Sequence, residues 1–212
     1  MTRELTEDEI NARANEKSRK RKEARDRMLA NKTVEKGLLI VHTGKGKGKS
    51  TAAFGLVFRA LGNGLRVGIV QFVKGKWETG ERHVLEKFPD QVVIRTMGEG
   101  FTWDTQDRAR DIRAAQAGWE MAREMIEACR GDTPAYDMVV LDELNIVLRY
   151  DYLPLDEVVE TLKGRPADLH VVVTGRNAKT ELIEAADLVT EMTQVKHPFR
   201  EQNVKAQKGI EF

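Results

Sequence analysis

The chain has 212 residues, enough for one domain of ordinary size and an appendage. Its 35 Lys and Arg side chains stand against 34 Asp and Glu, and a net charge of +1 gives no basis for expecting nucleic acid as a partner. The single cysteine, Cys129, excludes an internal disulfide or a cysteine-rich zinc module and reads as a small packing residue. No apolar run approaches the roughly 20 residues of a membrane span, and the N-terminus has no signal-peptide core, so a cytoplasmic protein away from the membrane is expected.

Residues 1–36 differ from the rest in composition. Basic side chains from Arg13 to Arg27 mix with Glu16, Glu23 and Asp26, and apolar residues are few. Such a segment favours helix but has no core of its own to bury. Two readings stay open: a solvated tail, helical or disordered, and an arm that orders over a nucleotide or against a partner subunit. The second domain, residues 37–212, alternates strand and helix patterns.

Its first strand, residues 38–42, runs directly into Thr43-Gly44-Lys45-Gly46-Lys47-Gly48-Lys49-Ser50-Thr51, and an Ala- and Leu-rich helix follows to about residue 61. This is the layout of a phosphate-binding loop. Glycines let backbone N–H groups converge on anionic oxygens, and the next helix points its positive end at the same place. Lys49 is expected to reach the outer phosphates and Ser50 to ligate Mg²⁺. The common pattern begins with glycine where this chain has Thr43, so Gly44 and Gly46 are expected to supply the turn. Lys45 and Lys47 either neutralise a triphosphate or stay solvated. Residues 43–51 together form the expected ATP contact.

Further strands are expected at residues 66–72, 92–97, 138–142, 170–174 and 188–193. Helices are expected at 80–87, at about 104–130 with Gly131 beyond its end, at 144–150, at 154–163 with Pro154 in first position, and at 178–186 capped by Asn177. Gly62 and Gly64 read as stop signals for the helix after the loop. Strands 138–142 and 170–174 are continuous apolar runs, as in parallel strands buried on both faces. The fold class is α/β, a three-layer, mostly parallel sheet with helices on both faces, of the P-loop NTPase (RecA-like) kind.

In such a sheet the strand C-terminal ends share one edge, where ligands bind. Asp142-Glu143 ends an apolar strand there and reads as the carboxylate partner of the loop, holding Mg²⁺ directly or through water. Thr174-Gly175-Arg176 lies at the same edge, with Arg176 a phosphate or ribose contact, as is Arg59 on the helix after the loop. Phe101-Thr102-Trp103 sits in a glycine-containing loop. It either packs beneath that loop or offers a platform to a flat apolar ligand. The four histidines have no metal spacing, and His42 reads as structural.

Seven blocks in order, G-L-L-I-V-H-T-G-K-G-K-G-K-S-T-A-A-F-G, V-Q-F-V-K-G-K-W-E-T-G-E-R, G-E-G-F-T-W-D-T-Q-D, V-V-L-D-E-L, Y-D-Y-L-P-L-D-E-V, V-V-V-T-G-R and V-K-A-Q-K-G-I-E-F, resemble the ATP:corrinoid adenosyltransferases that act on cobalamin and cobyrinic acid a,c-diamide. The resemblance covers residues 37–212, with Ser50 where threonine is common. It implies transfer of the 5′-deoxyadenosyl group of ATP to Co(I) of a corrinoid, with release of triphosphate and with Mg²⁺ or Mn²⁺ as cofactor. It also implies that Phe101 and Trp103, with Thr102 between them, contact the corrinoid and keep an axial ligand off cobalt. A reductase supplying the electron for Co(II), and a homodimer, are the implied partners. A RecA-like ATPase or nucleic-acid motor, and a regulatory nucleotide-binding module, are the competing readings of the same loop.

Overall fold

The computed structural model describes residues 6–73, 79–97 and 107–211. The chain separates into two units, Met1–Glu35 and Lys36–Phe212. The first is one long helix, α1 (Glu7–Ala30). Thr6 caps it in a capping box with Glu9, and Glu7, Asp8 and Glu9 lie at the positive end of its dipole. None of its residues is buried. Arg19 bridges Glu16 and Glu23 along one face, at the i,i+3 and i,i+4 spacing that brings helical side chains together. This helix is held by its own caps and charge pairs.

In the second unit six strands form one sheet: β1 (Leu39–Thr43), β2 (Val67–Gln71), β3 (Val92–Thr96), β4 (Met138–Asp142), β5 (His170–Thr174) and β6 (Leu188–Glu191). Their order is β3-β2-β4-β5-β1-β6, and every pairing is parallel. The sheet is thus wholly parallel among the described residues. The helices of this unit among the described residues are α2 (Lys49–Gly62), α3 (Gly80–Leu85), α4 (Arg108–Glu127), α5 (Leu144–Arg149), α6 (Leu155–Lys163), α7 (Thr180–Ala185) and the short α8 (Pro198–Glu201).

Strand alternation divides the core in two. Leu39, Val41, Leu141, Val171 and Val173 pack with Trp119, Ala122 and Ile126 of α4 and with the buried residues of α5, α6 and α7. Ile40, Ile69, Val140 and Val172 face the other way, onto Ala53, Phe54, Val57, Ala60 and Leu61 of α2 and Leu85 of α3. The spacing 53, 54, 57, 60, 61 is one face of a helix, and its larger side chains, Phe54, Val57 and Leu61, contribute about 1.5–3 kcal/mol each on burial. Cys129 is buried in the first cluster, its Sγ donating to Met125 O at 3.1 Å, as expected of a packing residue.

Several sequence expectations are corrected at element ends. Gly62 lies inside α2, and Gly64 (φ 77°) makes the left-handed exit. Pro154 is the cap before α6 rather than its first residue, because its extended ψ of 115° starts the helix one residue later. Asn177 does not cap α7. It takes the left-handed conformation (φ 55°) in the preceding turn, which Asn tolerates, and Lys179 occupies the cap. Helix α8 was not expected.

Candidate active site

The phosphate loop leaves the sheet at Thr43. This residue is still extended and buried, and its Oγ1 accepts a bond from Ala178 N at 3.0 Å. A side chain where the common pattern has glycine therefore ties the loop to the connection after β5. The turn falls one residue later, on Gly44 (φ 98°). A Cβ there would lie 2.5 Å from Met192 O, and one on Gly46 2.7 Å from the same atom. That close approach makes a seam: Gly46 N donates to Met192 O at 2.7 Å, and Met192 N donates to Thr43 O at 2.9 Å.

Gly48 (φ 99°) opens α2 with no side-chain cap among the described residues, which leaves the first-turn N–H groups and the positive helix end available to an anion. Lys49 is buried, and its Nζ donates to Gly46 O at 2.5 Å. Burial pulls its ammonium below the usual lysine range; Glu143 opposes this, while Arg176 and Lys47 add to it.

Four strand ends build the acidic side. Asp142 Oδ1 accepts from Thr174 Oγ1 at 2.7 Å, and Oδ2 from Gln71 Nε2 at 3.3 Å. Thr96 Oγ1 in turn donates to Gln71 Oε1 at 3.1 Å. Glu143 N donates to Thr174 Oγ1 at 2.9 Å, which fixes the backbone just after β4. There Glu143 holds φ 62°, a left-handed conformation that costs about 1–3 kcal/mol outside glycine. Its Oε2 is buried and bonded to no described residue. Burial first and Asp142 second push its carboxyl up to about 7, against the pull of Lys49 and Arg176. Gly175 (φ 125°) passes close by, and a Cβ there would lie 2.8 Å from Asn145 Cβ and 3.1 Å from Glu143 Oε2. Asn145 is fully buried and donates from Nδ2 to Gly175 O at 3.1 Å.

Of these groups Gln71, Asp142 and Glu143 line a cleft of about 580 Å³, together with Lys47, Ser50 and Thr51 of the loop and α2. The chain's C-terminal residues Gly209, Ile210 and Glu211 line it too, and Glu211 pairs with Lys47. Among the described residues there is no group of three His, Cys, Asp or Glu side chains suited to a metal. A phosphate-loop metal needs less from the protein: one hydroxyl, a carboxylate and oxygens of the nucleotide itself. Ser50 shares the cleft with an oriented Asp142 and an unpartnered, buried Glu143 oxygen. That donor set fits a hard divalent cation with oxygen ligands.

The structure thus brings together Gly44, Gly46, Gly48, Lys47, Lys49, Ser50, Thr51, Asp142 and Glu143. Arg176 is exposed and lines a neighbouring cleft, near enough for its charge to act on Lys49 and Glu143. Lys45 faces a neighbouring cleft. Arg59 is exposed ten residues beyond Lys49, about 15 Å along α2, and lines neither cleft. Phe101, Thr102 and Trp103 lie outside the described residues. Sequence reasoning placed Thr174 at the ligand edge but not as a partner of Asp142, and gave no role to Asn145 or to Gln71, although Gln71 is a polar residue at a strand C-terminal end, a legible signal. Glu211 had no local signal beyond its place in the V-K-A-Q-K-G-I-E-F block.

The family model of the ATP:corrinoid adenosyltransferases BtuR/CobO/CobP matches residues 35–212. A corrinoid adenosyltransferase of Sinorhizobium sp is 56% identical over 198 residues, covering 92% of this chain and 90% of that protein. One from Pseudomonas aeruginosa is 50% identical over 204 residues, covering 96% and 98%. Among solved structures, the RadB recombinase aligns over 77% of this chain and 78% of its own, with 16% identity and a TM-score of 0.46. A family match across residues 35–212, which holds every group of the cleft, and identities of half or more make the chain a member of the ATP:corrinoid adenosyltransferase family.

Proposed function

We propose that the chain transfers the 5′-deoxyadenosyl group of ATP to the Co(I) centre of a corrinoid substrate, releasing inorganic triphosphate, in the synthesis and salvage of adenosylcobalamin. The observation that carries this reading is the convergence of Lys47, Ser50, Asp142 and Glu143 on one cleft, with the buried Lys49 near enough for its charge to act on Glu143, in a chain this similar to corrinoid adenosyltransferases. The phosphate loop then serves a displacement at carbon. The cobalt electron pair forms the bond to C5′, the C5′–O bond breaks, and its electrons leave on the triphosphate oxygen.

No side-chain nucleophile is required. The work of the chain is to hold the polyanion and to meet its rising charge. Loop N–H groups and the first turn of α2 are fixed before the ligand arrives, so they need no reorganisation as charge develops. One such donor is worth about 3–4 kcal/mol in a preorganised site. Buried Lys49 adds a full charge beside them. Mg²⁺ or Mn²⁺ would be held by Ser50, with Asp142 and Glu143 direct or through water, and when bound it supplies counter-charge to the phosphates. Thr174 and Gln71 keep the Asp142 carboxylate turned into the cleft by donating to its two oxygens.

Phe101 and Trp103, with Thr102, are proposed to pack on the lower corrin face and exclude an axial ligand, which favours reduction of Co(II). A separate reductase supplying that electron, a homodimer and a cytoplasmic location complete the proposal; the sequence resemblance supports the first two. No helix among the described residues is long and apolar enough to cross a membrane.

The test is to supply ATP and a chemically reduced corrinoid and to analyse both products. Tripolyphosphate with a light-sensitive Co–C species is expected. ADP and orthophosphate would overturn the reading and return the loop to phosphoryl transfer. In the same assay Phe101→Ala and Trp103→Ala should retain ATP affinity and slow adenosylation from Co(II).

A further inference from the structure

Beside the phosphate loop, on the β6 side, lies a second cleft of about 520 Å³. Lys45 of the loop, Arg149 at the end of α5, Arg176 after β5 and Arg200 of α8 line it, and Glu191 is its one carboxylate among the described residues. None of these four cations pairs with a carboxylate of any described residue. Over the whole chain 35 basic residues stand against 34 acidic ones, and several surface cations elsewhere are paired. Lys36 pairs with Asp187, Arg82 with Glu86, Arg130 with Glu127 and Lys163 with Glu160. Four cations against one carboxylate is therefore a local departure from the chain's neutrality. It occurs against the wall that the phosphate loop shares with Met192.

We propose that this cleft is an anion subsite for the terminal phosphate of the nucleotide, and that Arg149 and Arg200 read the length of the phosphate chain. Guanidinium forks bind phosphate oxygens in pairs, so two of them with Lys45 and Arg176 suit a terminal phosphate with its exposed oxygens. The inference rests on the reading that the triphosphate leaves whole. When the C5′–O bond breaks, the bonding pair stays on oxygen, and the polyanion departs with one more negative charge than it carried as an ester. A cationic subsite off the metal-holding cleft receives part of that charge. It makes three phosphates, rather than two, the recognised unit.

Calorimetric titration of Arg149→Gln, Arg200→Gln and the double variant with sodium tripolyphosphate, sodium pyrophosphate, ATP and ADP tests this. Both side chains are exposed, so the fold should survive, and an unchanged melting curve checks that. Each lost charge-assisted contact should weaken tripolyphosphate and ATP roughly tenfold or more, with pyrophosphate and ADP unchanged. Arg→Lys variants should recover part of the loss. Equal losses for tripolyphosphate and pyrophosphate, no loss at all, or a loss of corrinoid affinity in place of polyphosphate affinity would each overturn the subsite. None of these titrations uses turnover. A selective tripolyphosphate loss in a protein that forms no Co–C bond would keep the subsite and overturn the proposed reaction; correct products with unaltered binding would do the reverse.

Discussion

On one side of the phosphate loop, Lys47 and Ser50 face Asp142, Glu143 and Glu211; on the other, Lys45 faces Arg149, Arg176 and Arg200 across Glu191. One nine-residue turn thus borders a cleft suited to a cation and another suited to an anion. The difference comes from which strand ends meet the loop. β4 delivers two acids, and β2, β3 and β5 supply the hydroxyls and amide that orient them. The β6 side, with α8, contributes arginine and backbone. A ligand that is anion and metal complex at once can therefore be divided along its length.

The largest effect is expected at Lys49, which serves the polyanion whichever cleft its end enters. Lys49→Ala should lower turnover with any corrinoid by about 10²–10³-fold, as loss of one preorganised donor does in other enzymes. Steady-state rates at saturating metal check this. Next, Asp142→Asn should act on the acidic cleft alone. It should raise the Mg²⁺ concentration for half-maximal rate by about 10–100-fold, as loss of a group orienting or holding a metal does, while tripolyphosphate binding without metal is retained.

Gly44→Ala attacks the seam between the clefts. A Cβ at φ 98° and 2.5 Å from Met192 O should cost at least about 2 kcal/mol in urea unfolding and impair both sides together. Asp187→Asn loosens the β6 side instead. Asp187 pairs with Lys36 and Arg165 and accepts from Leu39 N at 2.9 Å, and its loss should cost about 1 kcal/mol. The hydrogen bond from Lys36, then that from Leu39 N, holds its carboxyl below the usual range. Its contribution is therefore present above the unfolded value near 3.8 and lost as pH falls through the lower folded value.

The smallest effect lies on β1, just before the loop. His42 is buried with neither ring nitrogen bonded to a described residue, and burial holds its imidazole below the usual value of 6.5. The unfolded chain takes up that proton first, so stability should fall as pH drops below 6.5 and level off below the folded value. His42→Leu should flatten that limb of the melting-temperature profile, by less than about 1 kcal/mol.

The parts legible in the sequence share one property: the signal is local. The strands read at 138–142 and 170–174 match β4 and β5 end to end, because their inner residues, buried on both faces, are all apolar and polar residues stand only at their ends. Gly44 was legible as the turn for a similar reason, since a backbone with no Cβ is required there. The caps of α6 and α7 misled because Pro154 and Asn177 satisfy more than one local geometry, and contacts across the fold chose between them. Ala178 N bonding to Thr43 Oγ1 is one such contact.

The sequence by itself determined the loop, its lysine, the acidic strand end and the alternation that makes a parallel sheet, since each depends on neighbours within a few residues. Tertiary structure decided what stands opposite what. Only the strand order puts Thr174 against Asp142, and only the return of the C-terminus puts Glu211 on Lys47. Charges far apart in the chain share a cleft when packing brings their backbones to one edge, and nothing in local spacing records that Arg149 and Arg200 will face Lys45.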